Sequence, residues 1–552
     1  MAARVPAHPW SAAGPILHKV LQQTRTTPEV TLALFVLAVI SMGGFIFGHT
    51  LGIDDEFSLF PEGNSGIPWF GQGRFLIGLI QLVIPQQVTP FFPYLLLACS
   101  YVASYILLLS LHELQHGWKT LIGYLIFILF PTNWLSQEFV INVPGFAVGL
   151  FLSILAAWIT SNKIRESPKV DLSSFSLTSV ICLAIAIGGF QSLITVYLAI
   201  GPGSLLLRLL SSGTLNKSEC CQGRYLTRIL AVWFGQAVAA VALHTIIYKL
   251  YLSLGDVQVH QIDRYFRSPY FMLRTQPLDY VRGNIEQFFQ TYFTPGIFYG
   301  HSLWAFAALL LGVPIIALLG SPIAPSQSKS STSAYHPPTP EKLQITFVLT
   351  LLLLAIPLSL NIISMPYRIP MRALMALPYV AWLASCLWLQ TRRSRLNGQF
   401  LKIGAILSTI LIFQFLVCSS NYYAARSFNN RSDQLVAATI AATINNSGES
   451  NVPPVKRFGS QGALKRESPY RVAWYSTAGS SFFNWDNGNN ERMIRWLKAM
   501  GLDTLAAIPA NEMKNYSSDF KRMQIWPQPG SIAVKGEVVL VKFGEPSVLK
   551  TE

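Results

Sequence analysis

The sequence predicts a polytopic α-helical membrane protein. Of its 552 residues, 51% are hydrophobic and only 12% are charged, and the mean hydropathy is +0.40. Several apolar runs reach about 20 residues, the length at which a helix crosses a hydrocarbon layer of roughly 30 Å. The strands of a membrane barrel would alternate instead, and these runs do not. The composition therefore excludes a single soluble core and favours about eleven transmembrane helices.

Positive charge is concentrated in short loops between the apolar runs. The formal net charge is +15, and such a charge also occurs in proteins that bind nucleic acid. Here Lys and Arg gather beside hydrophobic segments, which is the distribution of cytoplasmic loops. The sequence therefore predicts contacts with membrane lipids, no nucleic-acid partner and a cytoplasmic N-terminus. Because no small-residue cleavage site follows the first apolar run, that run is expected to be a retained helix.

The order of membrane segments follows from these loops. A helix from Val30 to Gly48 leads to an acidic loop on the outer side, and further apolar runs lie near residues 91–111, 119–136, 144–161, 229–254, 301–321, 343–363, 371–390 and 401–420. The stretch Ser174 to Leu210 is predicted to cross twice, as a hairpin that turns at Gly188 to Ser192. A single crossing would leave Arg208 and the basic residues after it on the outer side, against the positive-inside rule.

Two domains are predicted: a transmembrane domain over residues 1–420 and a small mixed α/β domain on the periplasmic side over residues 421–552. The tail pattern predicts, in order, helix Asp433–Ile444, strand Arg471–Tyr475, helix Glu491–Met500 and strand Val538–Lys542. A stretch rich in Ser and Pro, Ser321 to Pro340, predicts a flexible cytoplasmic linker. The loop Gly255 to Tyr299 is expected on the outer side.

Asp54, Asp55 and Glu56 are the strongest candidates for chemistry. Neighbouring acids can raise the pKa of one carboxyl group and leave it as a general base for a substrate hydroxyl. An exterior loop that is merely acidic explains the same residues. Glu138, in the next outer loop, is a second-tier carboxylate. Since the outer loops contain no closed set of His and carboxylate ligands, neither a metal nor another cofactor is predicted.

Basic, aromatic and amide side chains near the same face are candidate substrate contacts. Arg74 follows Trp69 at the start of an apolar run too short to span, and Gln191 lies in the turn of the predicted hairpin. Arg368 and Arg372 are four residues apart, so they can share one helix face. Arginine binds phosphate through two parallel hydrogen bonds and keeps its charge. The alternatives are interfacial anchoring for the Arg and Trp residues and a plain turn cap for the Gln.

The order of these motifs resembles that in the bacteriophage-type serotype-converting O-antigen glucosyltransferases, integral-membrane enzymes of the GT-C superfold. The resemblance covers essentially the whole chain. It rests on Asp54–Asp55 after the first helix, Trp69 to Arg74, Phe190–Gln191, Arg368 with Arg372, Trp474 to Phe482, and Trp526 to Ile532. Phe190 departs from the expected pattern, which has Tyr at this turn.

The resemblance implies a GT-C-like enzyme in a bacterial inner membrane that moves a hexose, with glucose expected, from polyprenyl phosphate to lipid-linked O-antigen on the periplasmic face. It implies direct displacement with inversion, with Asp55 as the base and Asp54 and Glu56 as successive alternatives. It also implies two partners, a carrier-charging transferase and a donor flippase. No glycine-rich phosphate loop opens a βαβ unit, in keeping with a lipid-bound donor.

Two other function classes stay open. A flippase or transporter of lipid-linked sugars would carry polar residues deep within several helices and a repeat of helices, and neither is clear in the sequence. An assembly protein that uses its tail to recruit partners would not need so many spans for an anchor.

Overall fold

The computed structural model describes residues 27–48, 50–59, 67–84, 91–166, 174–211, 223–254, 275–293, 304–318, 340–360, 371–389, 395–447, 454–465, 469–470, 477 and 480–545. Arg368, the predicted strand Arg471–Tyr475, nearly all of the predicted linker, and residues 255–274 and 294–299 of the predicted loop Gly255 to Tyr299 lie outside the described residues.

The described chain is mostly helical, as its long apolar runs predict. Its helices are α1 (Pro28–Ser41), α2 (Gly43–Gly48), α3 (Glu56–Leu59), α4 (Ile67–Gly71), α5 (Phe75–Val83), α6 (Phe92–Leu111), α7 (Leu121–Leu129), α8 (Pro131–Ser136), α9 (Val143–Glu166), α10 (Leu177–Gly189), α11 (Leu193–Ser211), α12 (Gly223–Leu254), α13 (Pro277–Phe293), α14 (Trp304–Leu311), α15 (Val313–Leu318), α16 (Pro340–Ala355), α17 (Leu377–Leu389), α18 (Arg395–Asn446), α19 (Asn490–Ala499) and α20 (Ser517–Arg522). Four strands follow α18 in the described chain: β1 (Arg457–Gln461), β2 (Ala506–Ala507), β3 (Ile532–Lys535) and β4 (Val538–Lys542).

Within the described residues, six helices are long and apolar enough to cross a membrane. They lie at Phe92–Leu111, Val140–Glu166, Leu193–Leu210, Tyr225–Leu254, Pro340–Leu358 and Gln399–Asn446. Shorter apolar helices accompany them at Pro28–Ser41, Leu177–Gly189, Trp304–Ile316 and Leu377–Leu389. The prediction of a helical membrane protein is therefore supported, while the number of about eleven spans stays a prediction.

The stretch from Ser174 to Leu210 forms two helices, as the charge distribution predicts. Helix α10 begins after Ser176, whose hydroxyl accepts from the Ser179 N–H at 3.4 Å. The helix ends at Gly189, and α11 starts at Leu193 after a turn of three residues. The hairpin as a pair of helices is thus confirmed. The crossing of the bilayer by each of them stays a prediction, because α10 has only 13 residues and a full span needs about 20.

Glycines allow α9 and α10 to pack with their backbones close together. A Cβ atom at Gly189 would lie 2.5 Å from the carbonyl oxygen of Gly145, and one at Gly149 would lie 3.2 Å from the carbonyl oxygen of Ala186. Membrane helices associate through such small-residue contacts, because lipid supplies little hydrophobic driving force between them.

A buried polar network fixes the same part of the bundle. The Thr160 hydroxyl of α9 lies 2.8 Å from Ser179 Oγ of α10, 3.0 Å from the Tyr197 hydroxyl of α11 and 2.8 Å from Gln236 Oε1 of α12. All four side chains are fully buried. Because each polar group satisfies another, the network sets the register of four helices without a buried charge.

The tail forms a four-stranded mixed sheet in the order β2-β1-β4-β3. Strand β1 pairs in parallel with β2 and β4, and β3 pairs with β4 as an antiparallel hairpin. The central strand β4 is buried along its whole length, as expected for its run of apolar residues. On one face the sheet packs against a core that includes Phe482 and Trp496, whose rings stack with centroids 4.4 Å apart.

Helix α18 joins the bundle to the tail without a break. Its 52 residues correspond to a rod about 78 Å long at 1.5 Å per residue, so it extends well beyond a hydrocarbon layer of roughly 30 Å. The tail helix predicted at Asp433 to Ile444 is the last part of α18 and not a separate element, and the predicted domain boundary at residue 420 falls inside this helix. The predicted strand Val538–Lys542 is confirmed as β4, and helix α19 matches the helix predicted at Glu491 to Met500 within one residue.

We expect Gly189→Ala to destabilise the bundle by about 1–3 kcal/mol, because the new methyl group would press on a backbone oxygen that cannot move aside. The matched control is Gly235→Ala in α12, where the nearest side-chain atom, from Phe175, lies 3.9 Å away. The measurement is the midpoint of thermal unfolding in detergent for both variants. Equal midpoints for Gly189→Ala and the native protein would contradict the close α9–α10 packing.

Candidate active site

The acidic residues lie in a tight turn after α2. The Asp55 N–H donates to the Gly52 carbonyl (3.1 Å), and the Gly52 N–H donates to Asp55 Oδ2 (2.8 Å). Asp54 has a left-handed backbone with φ of 81°, a conformation that is costly for residues other than glycine and clusters at functional sites. The two neighbouring side chains end in different surroundings, because Asp55 is fully buried whereas the Asp54 side chain is 49% exposed.

This acidic turn is held between the helical bundle and the tail. A Cβ atom at Gly52 would collide with the carbonyl oxygen of Glu138, so glycine alone permits the approach. Ile53 packs into the hydrophobic core of the tail. Glu138 is buried, and its Oε1 accepts from the Thr477 N–H at 3.1 Å. The predicted carboxylates at 54–56 and 138 are therefore brought together.

A guanidinium from the tail meets two of the three acids in the turn. Arg492 on α19 donates to Glu56 Oε1 and, at 3.0 Å, to Asp54 Oδ1. Asp486 Oδ2 lies 2.9 Å from Nη2 and 3.2 Å from Nε of the same arginine. Glu56 is fully buried and the Arg492 side chain is 5% exposed. Burial raises the pKa of Glu56, and the charge on Arg492 opposes this rise.

A second guanidinium, from α18, holds the start of the turn. Arg426 Nε donates to Thr50 Oγ1 (2.6 Å), and Nη2 donates to the Thr50 carbonyl (2.8 Å). Nη1 donates to the Glu138 carbonyl at 3.2 Å and to the Tyr422 hydroxyl at 3.4 Å. The guanidinium also lies 5.0 Å from the ring centroid of Phe45. Arg426 thus binds both the start of the acidic turn and the Glu138 segment to α18.

Burial has the largest effect on the pKa of Asp55. Loss of water raises the pKa of its carboxyl group to about 7, although the charge on Arg426 and the N–H groups of Gly52 and Ile141 lower it. Asp54 raises it further. Asp55 Oδ1 is buried and forms no well-aligned hydrogen bond within the described part of the chain. A carboxyl group with a pKa near 7 is suited to accept a proton at neutral pH.

Three predicted substrate contacts come together around Arg74, at the start of α5. Arg74 Nε donates to Gln191 Oε1 at 3.4 Å. Its guanidinium lies 5.6 Å from the ring centroid of Trp69 and 5.4 Å from that of Phe190. Gln191 is fixed by donating to the Gln72 carbonyl at 2.9 Å. The short segment before α5 and the hairpin turn therefore form one cluster.

A second arginine faces this cluster. Arg372 lies 4.9 Å from the ring centroid of Phe139, next to Glu138. Burial, followed by the charge on Arg372, lowers the pKa of Arg74 to about 10, whereas Asp54 raises it. Arg74 therefore stays charged at neutral pH, within electrostatic reach of another arginine and of the acidic turn. Across the described ranges neither guanidinium forms an ion pair with a carboxylate, an arrangement typical of anion sites.

Sequence reasoning did not identify Arg426 or Arg492. Their contacts join residues 376 and 436 positions apart in the chain, and nothing in the local pattern marks either arginine. The useful signal was indirect, since three adjacent acids near a membrane surface need cations if they are buried. Arg368 lies outside the described residues and stays a prediction. In the part of the chain that the structure describes, no three His, Cys, Asp or Glu side chains are grouped as metal ligands.

A sequence model of the family described as glucosyl transferase GtrII matches residues 43–389, more than half of the chain. The chain belongs to this family. The resemblance predicted from the motifs is thereby confirmed, and glucosyl transfer is the activity to which the family description points. No curated protein and no solved structure matches the chain.

The part matched to the GtrII family includes both the acidic turn and the Arg74 cluster. It ends at residue 389, before Arg426 and Arg492. The two guanidinium groups that hold the acidic turn therefore come from the part of the chain that the family model does not cover.

For the ion pair across this boundary, we expect Arg492→Met to lower stability by roughly 3–5 kcal/mol, because it leaves the buried Glu56 carboxylate without its cation. The double variant Glu56→Gln with Arg492→Met should recover part of this loss. Unfolding in detergent would be followed for both single variants, the double variant and the exposed control Arg522→Met. Additive losses in the double variant would contradict a direct interaction.

Proposed function

We propose that this protein transfers a hexose, glucose being the expected sugar, from polyprenyl phosphate to lipid-linked O-antigen at the periplasmic face of the inner membrane. The product would be lipopolysaccharide of altered serotype. Family membership supports glucosyl transfer, and the membrane helices support substrates carried on lipids. The observation that carries the proposal is the buried Asp55 carboxyl group, with a pKa of about 7, in an acidic turn whose Asp54 lies within electrostatic reach of Arg74.

In this proposal the acceptor hydroxyl attacks the anomeric carbon of the donor while Asp55 removes its proton. The bond from that carbon to the phosphate oxygen breaks, polyprenyl phosphate leaves, and the anomeric centre is inverted. Because Asp55 is fully buried, the acceptor can reach it only if the covering groups move aside. Asp54 is half exposed and is the alternative base, with Glu56 third because Arg492 holds it.

The leaving phosphate gains negative charge as the bond breaks, so it needs cations that stay charged. Arg74 and Arg372 are the proposed cations, because their guanidinium groups lie within electrostatic reach of each other and neither forms an ion pair with a carboxylate among the described residues. Both are held against aromatic rings, which limits their motion before the substrate binds. Arg368 remains a third candidate for the same phosphate.

The remaining candidates surround these groups. Trp69 presents a ring close to Arg74 and is proposed to contact the sugar or the lipid phosphate. Gln191 fixes Arg74 and is the candidate ligand for a sugar hydroxyl. Glu138 accepts hydrogen bonds from Arg426 through its backbone carbonyl and from the Thr477 N–H through its carboxylate. We assign it a supporting role in the substrate site.

The topology that accompanies this function has the N-terminus in the cytoplasm and the tail in the periplasm. It rests on the basic residues of the loops, which the predicted hairpin keeps on the cytoplasmic side. The acidic turn contacts the tail through Ile53 and Arg492, so both belong on the same side of the membrane. A carrier-charging transferase and a donor flippase are the partners that would supply the lipid-bound sugar.

Replacing Asp55 tests the proposed base. We expect Asp55→Asn to reduce transfer by roughly a hundredfold to ten-thousandfold while the protein stays inserted. The native rate should rise with pH through about 7, because the base must be unprotonated, and should fall about tenfold per unit below pH 6. The measurements are the transfer rate in purified protein and the O-antigen structure, by NMR and mass spectrometry, in cells with and without the protein.

Asp54→Asn serves as the comparison in the same assays. Loss of transfer in Asp54→Asn but not in Asp55→Asn would move the base by one residue. Full activity in both variants would overturn the proposed mechanism. An unchanged polysaccharide in the presence of the native protein, with a redistributed lipid-linked precursor, would instead indicate a flippase.

Replacing Arg74 or Arg372 tests the phosphate site. Alanine at either position should lower kcat/KM for the polyprenyl phosphate donor by roughly 10- to 150-fold, the equivalent of one lost charge-assisted hydrogen bond. Lysine at position 372 should restore only part, because an ammonium group lacks the planar fork of guanidinium. The measurement is transfer rate against donor concentration, with the exposed Arg228 changed to Ala as the control. If kcat/KM stayed near the native value in both the alanine and the lysine variants, the phosphate role would be wrong and these arginines would serve as membrane anchors.

A further inference from the structure

We propose that Arg426 is a positioning residue for Asp55: from outside the family-matched part of the chain, it fixes the backbone and the charge environment of the base. The inference rests on the proposed function, in which Asp55 takes the proton of the acceptor. Arg426 touches none of the reacting atoms in that scheme, so its effect is exerted through the acidic turn.

The geometry of Arg426 fits a clamp. The arginine is 6% exposed, and three of its N–H groups reach two backbone carbonyls and one hydroxyl on two different segments. Thr50 receives two of these bonds, immediately before the acidic turn, and the Glu138 carbonyl receives the third. The same carbonyl oxygen is the atom against which Gly52 packs. One guanidinium group therefore holds both backbone segments next to Asp55, the one at Thr50 and the one at Glu138.

The charge on Arg426 acts on Asp55 as well. Asp54 from the same turn and Arg426 from α18 act on this carboxyl group. The carboxyl group in turn acts on Glu56 in the turn and on Tyr94 in α6. Glu138 lies on the adjoining segment. Arg426 is the cation in this set that lowers the pKa of Asp55 directly, whereas Arg492 is bonded to the other two acids of the turn.

The side chain of Arg426 can be dissected by two substitutions. Arg426→Lys keeps the positive charge but loses the planar fork that bonds two segments at once. Arg426→Met loses both the charge and the fork while keeping much of the volume. Arg431, five residues further along α18 and exposed, offers a matched control, Arg431→Met, on the same helix.

Amide hydrogen exchange of residues 50–56 in the detergent-solubilised full chain is the first measurement. We expect faster exchange in both Arg426→Lys and Arg426→Met, and native protection in Arg431→Met. This readout does not depend on transfer, so it tests the clamp even if the proposed function fails. Native protection in both Arg426 variants would overturn the positioning role.

The pH profile of transfer is the second measurement. In Arg426→Met, the acidic limb of the pH–rate profile should shift to higher pH by about one unit, because a nearby cation no longer favours the ionised form of Asp55. At pH 7 this shift alone lowers the rate about fivefold for a base of pKa about 7. Arg426→Lys should keep the limb near its native position while losing rate at all pH values. A merely structural arginine would lower the amount of folded protein without moving the limb, and that outcome would refute the proposal.

Discussion

The candidate site depends on balancing the charge of buried acids with cations from the far end of the chain. Asp55 and Glu56 are fully buried, and an isolated carboxylate in such surroundings is strongly disfavoured. Arg426 and Arg492 supply the opposite charge, one from the long helix and one from the tail. Because neither the acids nor the arginines are stable in this position alone, the acidic turn, α18 and α19 must assemble together.

Helix α18 fixes the relative positions of the acidic turn and the tail. One continuous helix carries Arg426 toward the acidic turn and, two turns later, Asp433 toward the tail. Asp433 accepts hydrogen bonds from the Ser481 hydroxyl and, at 2.9 Å, from the Phe482 N–H. Val436 and Ala437 follow and enter the tail core beside Ile53. A rigid helix thus fixes the distance between the bundle and the tail, and the acidic turn occupies the space between them.

The sequence predicts the elements whose physics is local. Apolar runs and the positions of Lys and Arg are enough to locate most helices and to divide Ser174 to Leu210 into two. Adjacent acids and aromatic–arginine segments are enough to nominate Asp54, Asp55, Trp69 and Arg74. The continuity of α18 was missed because polar composition after residue 420 resembles the start of a new domain, although Ala, Leu and Gln sustain a helix equally well there.

The pairing of residues distant in the chain lies beyond such local reasoning. Arg492 sits in a short helix of mixed polar and apolar residues, where an arginine is ordinarily a solvated surface group. Its burial follows from the docking of the tail, which no local pattern encodes. The same holds for Arg74 and Gln191, whose residue types were predicted as ligands while their mutual hydrogen bond depends on where the hairpin lies. Contacts of this kind are set by tertiary packing, and only the assembled structure reveals them.

The placement of buried charge favours the proposed enzyme over a transporter. In the described residues, the buried charged groups near one end of the bundle and in the tail are Asp55, Glu56, Glu138, Arg426, Asp433, Arg492 and Lys542, with His112 buried at the other end of α6. The buried network of Thr160, Ser179, Tyr197 and Gln236 is uncharged, and its groups bond to one another. A path for an anionic lipid headgroup through the bundle would need charged or open polar groups along its length. The buried carboxylates and arginines gathered around the acidic turn suit chemistry at a membrane surface, as the proposed reaction between a lipid-bound phosphate and a hydroxyl requires.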